Sequence, residues 1–382
     1  MKHALHRPSW MFLSALLLAA LSTTVWIGCG DKQEPSIGSS VDQEEILLGK
    51  ENPEIRAVMN VQDRHTVTLL SNPEVVGTAT GLTEDGRPAI LVFTKSDVTS
   101  GALAKRSTIP SSIEGVPVVV EVSGPIVAFD GGPNHQINRP RPIELGVSGG
   151  NANDIANGFC CSGTLGALVK NSAGTQFILS NSHVFAHDVA ASAGDLDVAQ
   201  IGDPINQRGL VDRGCVDSEA DHVATLSSLS SLVPGSNADA AIAQVIAGQV
   251  RTDGSILDIG TISSQTAAAA LRQRVKKSGR TSGLTKSRVS GLNATVTVGY
   301  DNECNGQSFT KLFTGQIIVR NGGFLVSGDS GSLMVQDVAT NPKAVGLLYA
   351  GSNTIAVANP IGQVLTYLNT VGQGNGFSMV GN

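Results

Sequence analysis

A mainly β chain, built as a sandwich or as barrels behind a small α/β unit, is what this sequence predicts. Three observations carry that reading. From residue 164 onward, short apolar runs recur between glycine-rich turns. Ahead of residue 128, one amphipathic run is followed by a hairpin signal and a further apolar run. The composition agrees: 44 glycines, 41% hydrophobic and 15% charged residues suit many tight turns around a core, and argue against a coiled coil or a disordered chain. With 382 residues there is room for two domains. A net charge of −6 without any basic block argues against a nucleic-acid partner.

The chain opens on a basic start, Met1 to Arg7, followed by an apolar stretch, Met11 to Leu21, too short for a comfortable membrane span. Together they predict an export signal over residues 1–28 that takes no part in the fold. Trp26-Ile27-Gly28-Cys29 resembles a bacterial lipoprotein signal, in which a small residue precedes the acylated cysteine. Cys29 is therefore a candidate lipid anchor. Trp26 departs from the usual aliphatic residue, and cleavage after Ser22 by an ordinary signal peptidase is the alternative. Export to the cell envelope or to the medium is expected on either reading. Residues 29–45 are polar and read as a tether.

Residues 46–128 read as a small α/β domain. Apolar positions Ile55, Val58, Met59, Leu69 and Leu70 predict a helix from Asn52 to Leu70, capped by Asn52-Pro53 and stopped by Ser71-Asn72-Pro73. His65 falls in its middle, where a surface or cap role is expected rather than a catalytic one. Two strands, Val75 to Gly81 and Pro88 to Thr94, flank the hairpin signal Glu84-Asp85-Gly86-Arg87, and Val116 to Val122 is a third. Residues 129–158 are rich in Gly, Pro and Asn and form a linker. The strand-rich part spans 159–372, with a helical insertion expected over Thr261 to Arg274, a closing helix over Ile361 to Leu368, and a tail at 373–382.

Besides Cys29 there are four cysteines, Cys160, Cys161, Cys215 and Cys304. In an exported chain an even count favours disulfides over a metal site. A bond between the adjacent Cys160 and Cys161 would be strained, so one pairs with Cys215 and the other with Cys304, in either connectivity.

Chemistry concentrates in three stretches. Val326-Ser327-Gly328-Asp329-Ser330-Gly331-Ser332 is a glycine-hinged loop carrying a hydroxyl, followed by an apolar run. A serine hydroxyl attacks only when a base takes its proton and donors receive the charge that forms. The glycines allow a sharp turn that aims the N–H groups of Gly328 and Ser330 at one point. Phe177 to Ala186 is an apolar strand ending in a small-residue turn that delivers His183, and Asn237 to Val245 sets Asp239 just before another apolar run. His187 lies four residues after His183, but Val184 stands where a zinc peptidase would need a glutamate, so no metal is expected. His222 and the aspartates Asp195, Asp197, Asp203, Asp212, Asp217 and Asp221 are rivals; Asp239 is preferred because small residues and a buried strand follow it.

The order His183, Asp239, Ser330 and the sequences around them resemble the trypsin/chymotrypsin group of serine peptidases. Leu145 to Asn151, Gly163 to Val169 and Lys277-Ser278-Gly279-Arg280-Thr281-Ser282-Gly283 are similar to bacterial trypsin-like proteins and to the plant narrow-leaf group. The resemblance implies two six-stranded antiparallel β-barrels with the site between them. It implies Ser330 as nucleophile, His183 as base, Asp239 as its orienting partner, and an oxyanion hole from Gly328 and Ser330. No activation sequence precedes Cys160, so Lys277 or Arg280 is expected to supply the cation that holds Asp329 and orders the serine loop. Phe324 falls at the base of the primary pocket, which argues for a small or shallow apolar pocket rather than one for Lys or Arg. Tyr349 and Gly351 fall on the strand that pairs with the substrate backbone. The implied activity is serine endopeptidase action on protein or peptide, without a cofactor and with the oligomeric state open. An esterase-like or self-processing hydrolase with the same triad, and a non-catalytic binding protein on the same scaffold, are the alternatives.

Overall fold

The computed structural model describes residues 48–98, 109–126, 135–156, 159–186, 199–230, 232, 236–300, 308–371 and 374–382. The export signal, the tether, Cys29, His187, Asp195, Asp197 and Cys304 lie outside the described residues. Glu45–Asn382 forms one compact unit. Among the described residues no helix is long and apolar enough to cross a membrane.

Helix α1, Pro53–Leu70, starts where the sequence signals a start: the Asn52 side chain accepts from the N–H groups of Glu54 (2.9 Å) and Ile55 (3.3 Å), and proline opens the first turn. Ile55, Val58, Gln62, Thr66 and Leu69 are buried at helical spacing. This face packs on strands β1, Val75–Leu82, and β2, Pro88–Thr94, an antiparallel pair joined through Gly86 at positive φ. Strand β3, Val116–Val122, runs parallel to β2. The buried Gln62 amide donates to Thr78 Oγ1 (3.2 Å) and the Asn293 carbonyl (2.9 Å) and accepts from Thr80 Oγ1 (2.7 Å). One satisfied amide thus fixes α1 against its own sheet and against the C-terminal part of the chain.

The first barrel comprises β4 (Val147–Asn151), β5 (Gly163–Leu165), β6 (Ala167–Lys170), β7 (Gln176–Ser180), β8 (Pro204–Asn206), β9 (His222–Leu229) and β10 (Ala241–Val245). Its sheet order runs β6, β7, β10, β9, β8, β4, β5. The two ends, β5 and β6, are one strand interrupted at Gly166, so the sheet closes on itself as six antiparallel strands. Cys160 bonds Cys215 across 55 residues of sequence, and Cys161 is also disulfide-bonded.

The second barrel comprises β11 (Arg274–Gly279), β12 (Gly283–Tyr300), β13 (Phe309–Arg320), β14 (Leu333–Gln336), β15 (Ala344–Gly351) and β16 (Ile355–Pro360). The order β11, β14, β15, β16, β13, β12, with β12 returning to β11, closes this one too. Two six-stranded antiparallel barrels are therefore present. Strand β12 is long enough for two tasks: residues 283–288 close the barrel on β11, and Leu292 to Val296 pair with β1. The N-terminal strands thereby extend the second barrel's sheet. Val76, Phe93 and Ile126 share one apolar cluster with Tyr300, Phe313 and Tyr349.

The closing helix is observed as α2, Ile361–Val371. The helix expected over Thr261 to Arg274 is not there. Ala270–Leu271 is instead a short strand paired with Leu48–Gly49, and the Ala267 N–H donates to the Ala344 carbonyl at 2.8 Å. Four alanines favour a helix, but so short a run cannot nucleate one against the sheet edges that claim its backbone.

Candidate active site

The histidine and the aspartate meet because of strand register. β7 and β10 are antiparallel with Ser180 opposite Ala241, so the residues just past β7 face those just before β10. Past β7 the chain makes one helical turn, Ser182–Phe185, after Asn181. Asn181 Nδ2 donates to the Asp239 carbonyl at 2.8 Å and anchors that turn. Asp239 Oδ1 accepts from the N–H groups of Ser182 (2.7 Å) and His183 (3.2 Å), and His183 Nδ1 donates to Oδ2 at 2.5 Å. Asp239 has no solvent exposure and His183 only 8%. In this arrangement Nδ1 carries the proton and Nε2 is the basic nitrogen.

The serine loop is shaped from below by Asp329. Its Oδ2 accepts from Lys277 Nζ (2.8 Å), Ser282 Oγ (2.5 Å) and the Val326 N–H (3.1 Å). Its Oδ1 accepts from the N–H groups of Thr281 (2.9 Å) and Ser282 (3.1 Å). Both Lys277 and Asp329 are fully buried. Burial pulls the Lys277 ammonium below its ordinary value, and the carboxylate beside it opposes that shift. Lys277 is thus the cation at Asp329. Arg280 is not: its guanidinium forms a two-pronged pair with Asp212 (2.7 and 2.8 Å), while its N–H donates to Thr164 Oγ1.

Above Asp329, the Asp329 N–H donates to the Val326 carbonyl at 3.0 Å and closes a turn with Gly328 at φ +85°. Thr164 braces this turn, its hydroxyl donating to the Gly328 carbonyl (2.9 Å) and its N–H to the Ser330 carbonyl (2.8 Å). Among the described residues, neither the Gly328 nor the Ser330 N–H donates to a protein acceptor. The Ser330 hydroxyl lies 3.4 Å from the Tyr349 carbonyl. Loop and histidine turn come together at Gly163, where an added Cβ would lie 2.5 Å from Val184 Cγ2 and 3.0 Å from the Ser330 carbonyl oxygen. The residue after His183 and the backbone of Ser330 thus meet at one glycine.

The remaining expected residues are also placed. Phe324 is 2% exposed and packs with Ile55, Leu271, Val275 and Leu325. Tyr349 to Gly351 lie on β15, whose pairing with β14 stops at Leu347 while its pairing with β16 continues to Gly351. One side of that short stretch therefore has no strand partner among the described residues. Of the rival acids, Asp217 faces His222 at 3.1 Å, Asp203 holds Asn151 and Asn153, Asp212 holds Arg280, and Asp221 meets Arg213. Residues that local sequence did not reveal are Thr164, Ser282, Tyr300 and Asn359. Tyr300 donates its phenol proton to Asp239 Oδ2 (3.0 Å), and Asn359 Oδ1 accepts from the Asp239 N–H (3.0 Å). Both arrive from distant strands, and only the quoted Ser-Gly-Arg-Thr-Ser-Gly stretch hinted at Ser282.

No family model and no curated protein sequence matches this chain. Solved structures with a similar fold include a glutamic-acid-specific serine protease, 16% identical, covering 62% of this chain and 100% of that one at a TM-score of 0.38. Protease A of Thermobifida fusca is 17% identical, covering 61% of this chain and 99% of that one at a TM-score of 0.38. A Cellulomonas bogoriensis chymotrypsin is 18% identical, covering 63% of this chain and 99% of that one at a TM-score of 0.39.

Proposed function

We propose that this chain is an exported serine endopeptidase that cleaves peptide bonds through an acyl-enzyme intermediate. The observation that carries the reading is the buried Asp239–His183 pair at 2.5 Å, set on a turn that shares Gly163 with the Ser330 loop. In this reading Ser330 Oγ bonds to the substrate carbonyl carbon as His183 Nε2 takes its proton. Asp239 keeps the proton on Nδ1 and stabilises the imidazolium. The Gly328 and Ser330 N–H groups receive the negative charge on the carbonyl oxygen. The C–N bond then breaks, the leaving amine takes the proton from His183, and water repeats the sequence to free the acid and restore Ser330.

In this reading an extended peptide pairs with the side of Tyr349 to Gly351 that has no strand partner among the described residues. On the same reading Phe324, six residues before Ser330, stands at the base of a primary pocket that admits small or apolar side chains rather than long basic ones. Export is supported by the basic and apolar start of the chain and by the Cys160–Cys215 bond, with Cys29 as the candidate anchor.

A fluorophosphonate probe is expected to label the wild-type chain at Ser330 and to leave Ser330→Ala unlabelled. Cleavage of a peptide library then separates an endopeptidase from an esterase-like or self-processing hydrolase. A folded wild-type chain that takes no label would identify a non-catalytic binding protein on this scaffold.

A further inference from the structure

Among the described residues the Asp239 carboxylate accepts four hydrogen bonds, and three of them come from the histidine turn itself. The fourth comes from Tyr300, the last residue of β12, which belongs to the other barrel. The phenol shares Oδ2 with His183 Nδ1. Its ring is 1% exposed and immobilised: it stacks on Phe309 at 5.0 Å and 11°, and stands edge-on to the His183 imidazole at 5.8 Å and 62°. The same side chain therefore touches both members of the pair and ties them to the barrel that carries Ser330.

We propose that Tyr300 is a positioning residue for the His183–Asp239 pair, fixing the plane of the carboxylate and tempering the basicity of Oδ2. The proposal rests on the hydrolytic reading of the same site. Among the described residues, Tyr349 and Lys311 also feel Asp239. Tyr349, from β15, is raised by burial and by the carboxylate; Lys311, from β13, is lowered by burial against the pull of the carboxylate. Neither has a hydrogen bond to Asp239 among the described residues, so Tyr300 is the group to vary.

The sign of its effect follows from the shared oxygen. A donor on Oδ2 drains charge that would otherwise stabilise the imidazolium, so removing the hydroxyl raises the pH at which His183 titrates. The test compares the full wild-type chain with Tyr300→Phe, which keeps the ring stack, and Tyr300→Leu, which does not. Nitrogen-15 NMR of labelled histidines, with His183→Ala to assign the signal, is expected to show the His183 midpoint about half a pH unit higher in Tyr300→Phe. With an ester or peptide substrate, kcat is expected to fall by about tenfold at unchanged KM. Tyr300→Leu should show both effects and a larger loss of Tm than Tyr300→Phe, which keeps the ring stack and loses only the hydrogen bond. An unchanged midpoint in Tyr300→Phe overturns the proposal, whatever happens to kcat, because a merely structural role leaves the titration where it was. If the wild-type chain hydrolyses nothing and takes no fluorophosphonate, the hydrolytic reading fails by itself. The midpoint then decides the hold of Tyr300 on Asp239: a rise supports it and no rise ends it.

Discussion

Lys277 and Asp329 form an ion pair at 2.8 Å with neither side chain exposed to solvent, directly beneath the loop that carries Ser330. Taking two charges out of water is costly, and the arrangement holds only because four further donors satisfy the carboxylate. A pair of this kind is weak evidence for stability as such, but removing one member strands the other. Lys277→Gln is therefore expected to cost about 3–5 kcal/mol in urea unfolding and to lower the rate of fluorophosphonate labelling by at least about tenfold. Arg280→Gln should leave the labelling rate within about threefold, because its guanidinium serves Asp212 and not the loop. A Lys277→Gln/Arg280→Gln chain that labels at the wild-type rate would remove the loop-ordering role altogether.

Asp239→Asn keeps the shape of the site but offers an amide where His183 Nδ1 needs an acceptor. The imidazole would then turn or change tautomer and leave Nε2 protonated. Turnover is expected to fall by roughly 10⁴-fold with little change in Tm, as is typical when the orienting acid of such a triad is lost. His183→Ala should be at least as damaging. Steady-state hydrolysis at pH 7 to 8 measures both, and an Asp239→Asn chain within tenfold of wild type would contradict the assigned role.

What could be read from sequence was local. The cap and register of α1, the hairpin at Gly86, the small-residue turn after β7 and the glycine-hinged serine loop are each set by neighbours within a few residues. Lys277 and Arg280 could not be told apart, because both are cations three residues apart at the end of one strand. What separates them is that Lys277 points into the second barrel while Arg280 crosses to Asp212 in the first. Tyr300 and Asn359 were invisible for a similar reason: each reaches Asp239 from another strand, more than 60 residues along the chain. The helix expected over Thr261 to Arg274 failed where pairing with Leu48–Gly49 and a bond to Ala344 overrode propensity.

Acid should loosen the N-terminal helix. Glu114 faces both Arg64 and His65 of α1, and hydrogen bonds from these two, Arg64 first, hold its carboxyl down at about 2. A carboxylate held below its unfolded value contributes its stability above that value and loses it as the pH falls through the folded one. The contribution should therefore be intact above pH ~4.5 and vanish toward pH ~2. Because the pair is exposed the effect is small, so the check is differential. Between pH 5 and 2.5 the wild type should lose more unfolding free energy than Glu114→Gln, and parallel curves would exclude the linkage.

Gly331 is the position where the serine loop leaves no room for choice. Its φ of +91° is one that L side chains rarely adopt, and an added Cβ would overlap both Ser180 Oγ and the Thr164 carbonyl oxygen. Ser180 cannot simply swing aside, since its hydroxyl donates to that same carbonyl at 2.7 Å. The Thr164 backbone cannot retreat either, because its N–H holds the Ser330 carbonyl at 2.8 Å. Gly331→Ala must therefore twist the loop or pull it away from Thr164, at an expected cost of about 2–4 kcal/mol. The displacement falls next to the nucleophile, so fluorophosphonate labelling should slow by at least about tenfold even at temperatures where the variant is fully folded. Labelling rates and urea midpoints measured on one preparation separate the two effects. A variant that loses stability but labels normally would show that Ser330 is positioned independently of the turn after it.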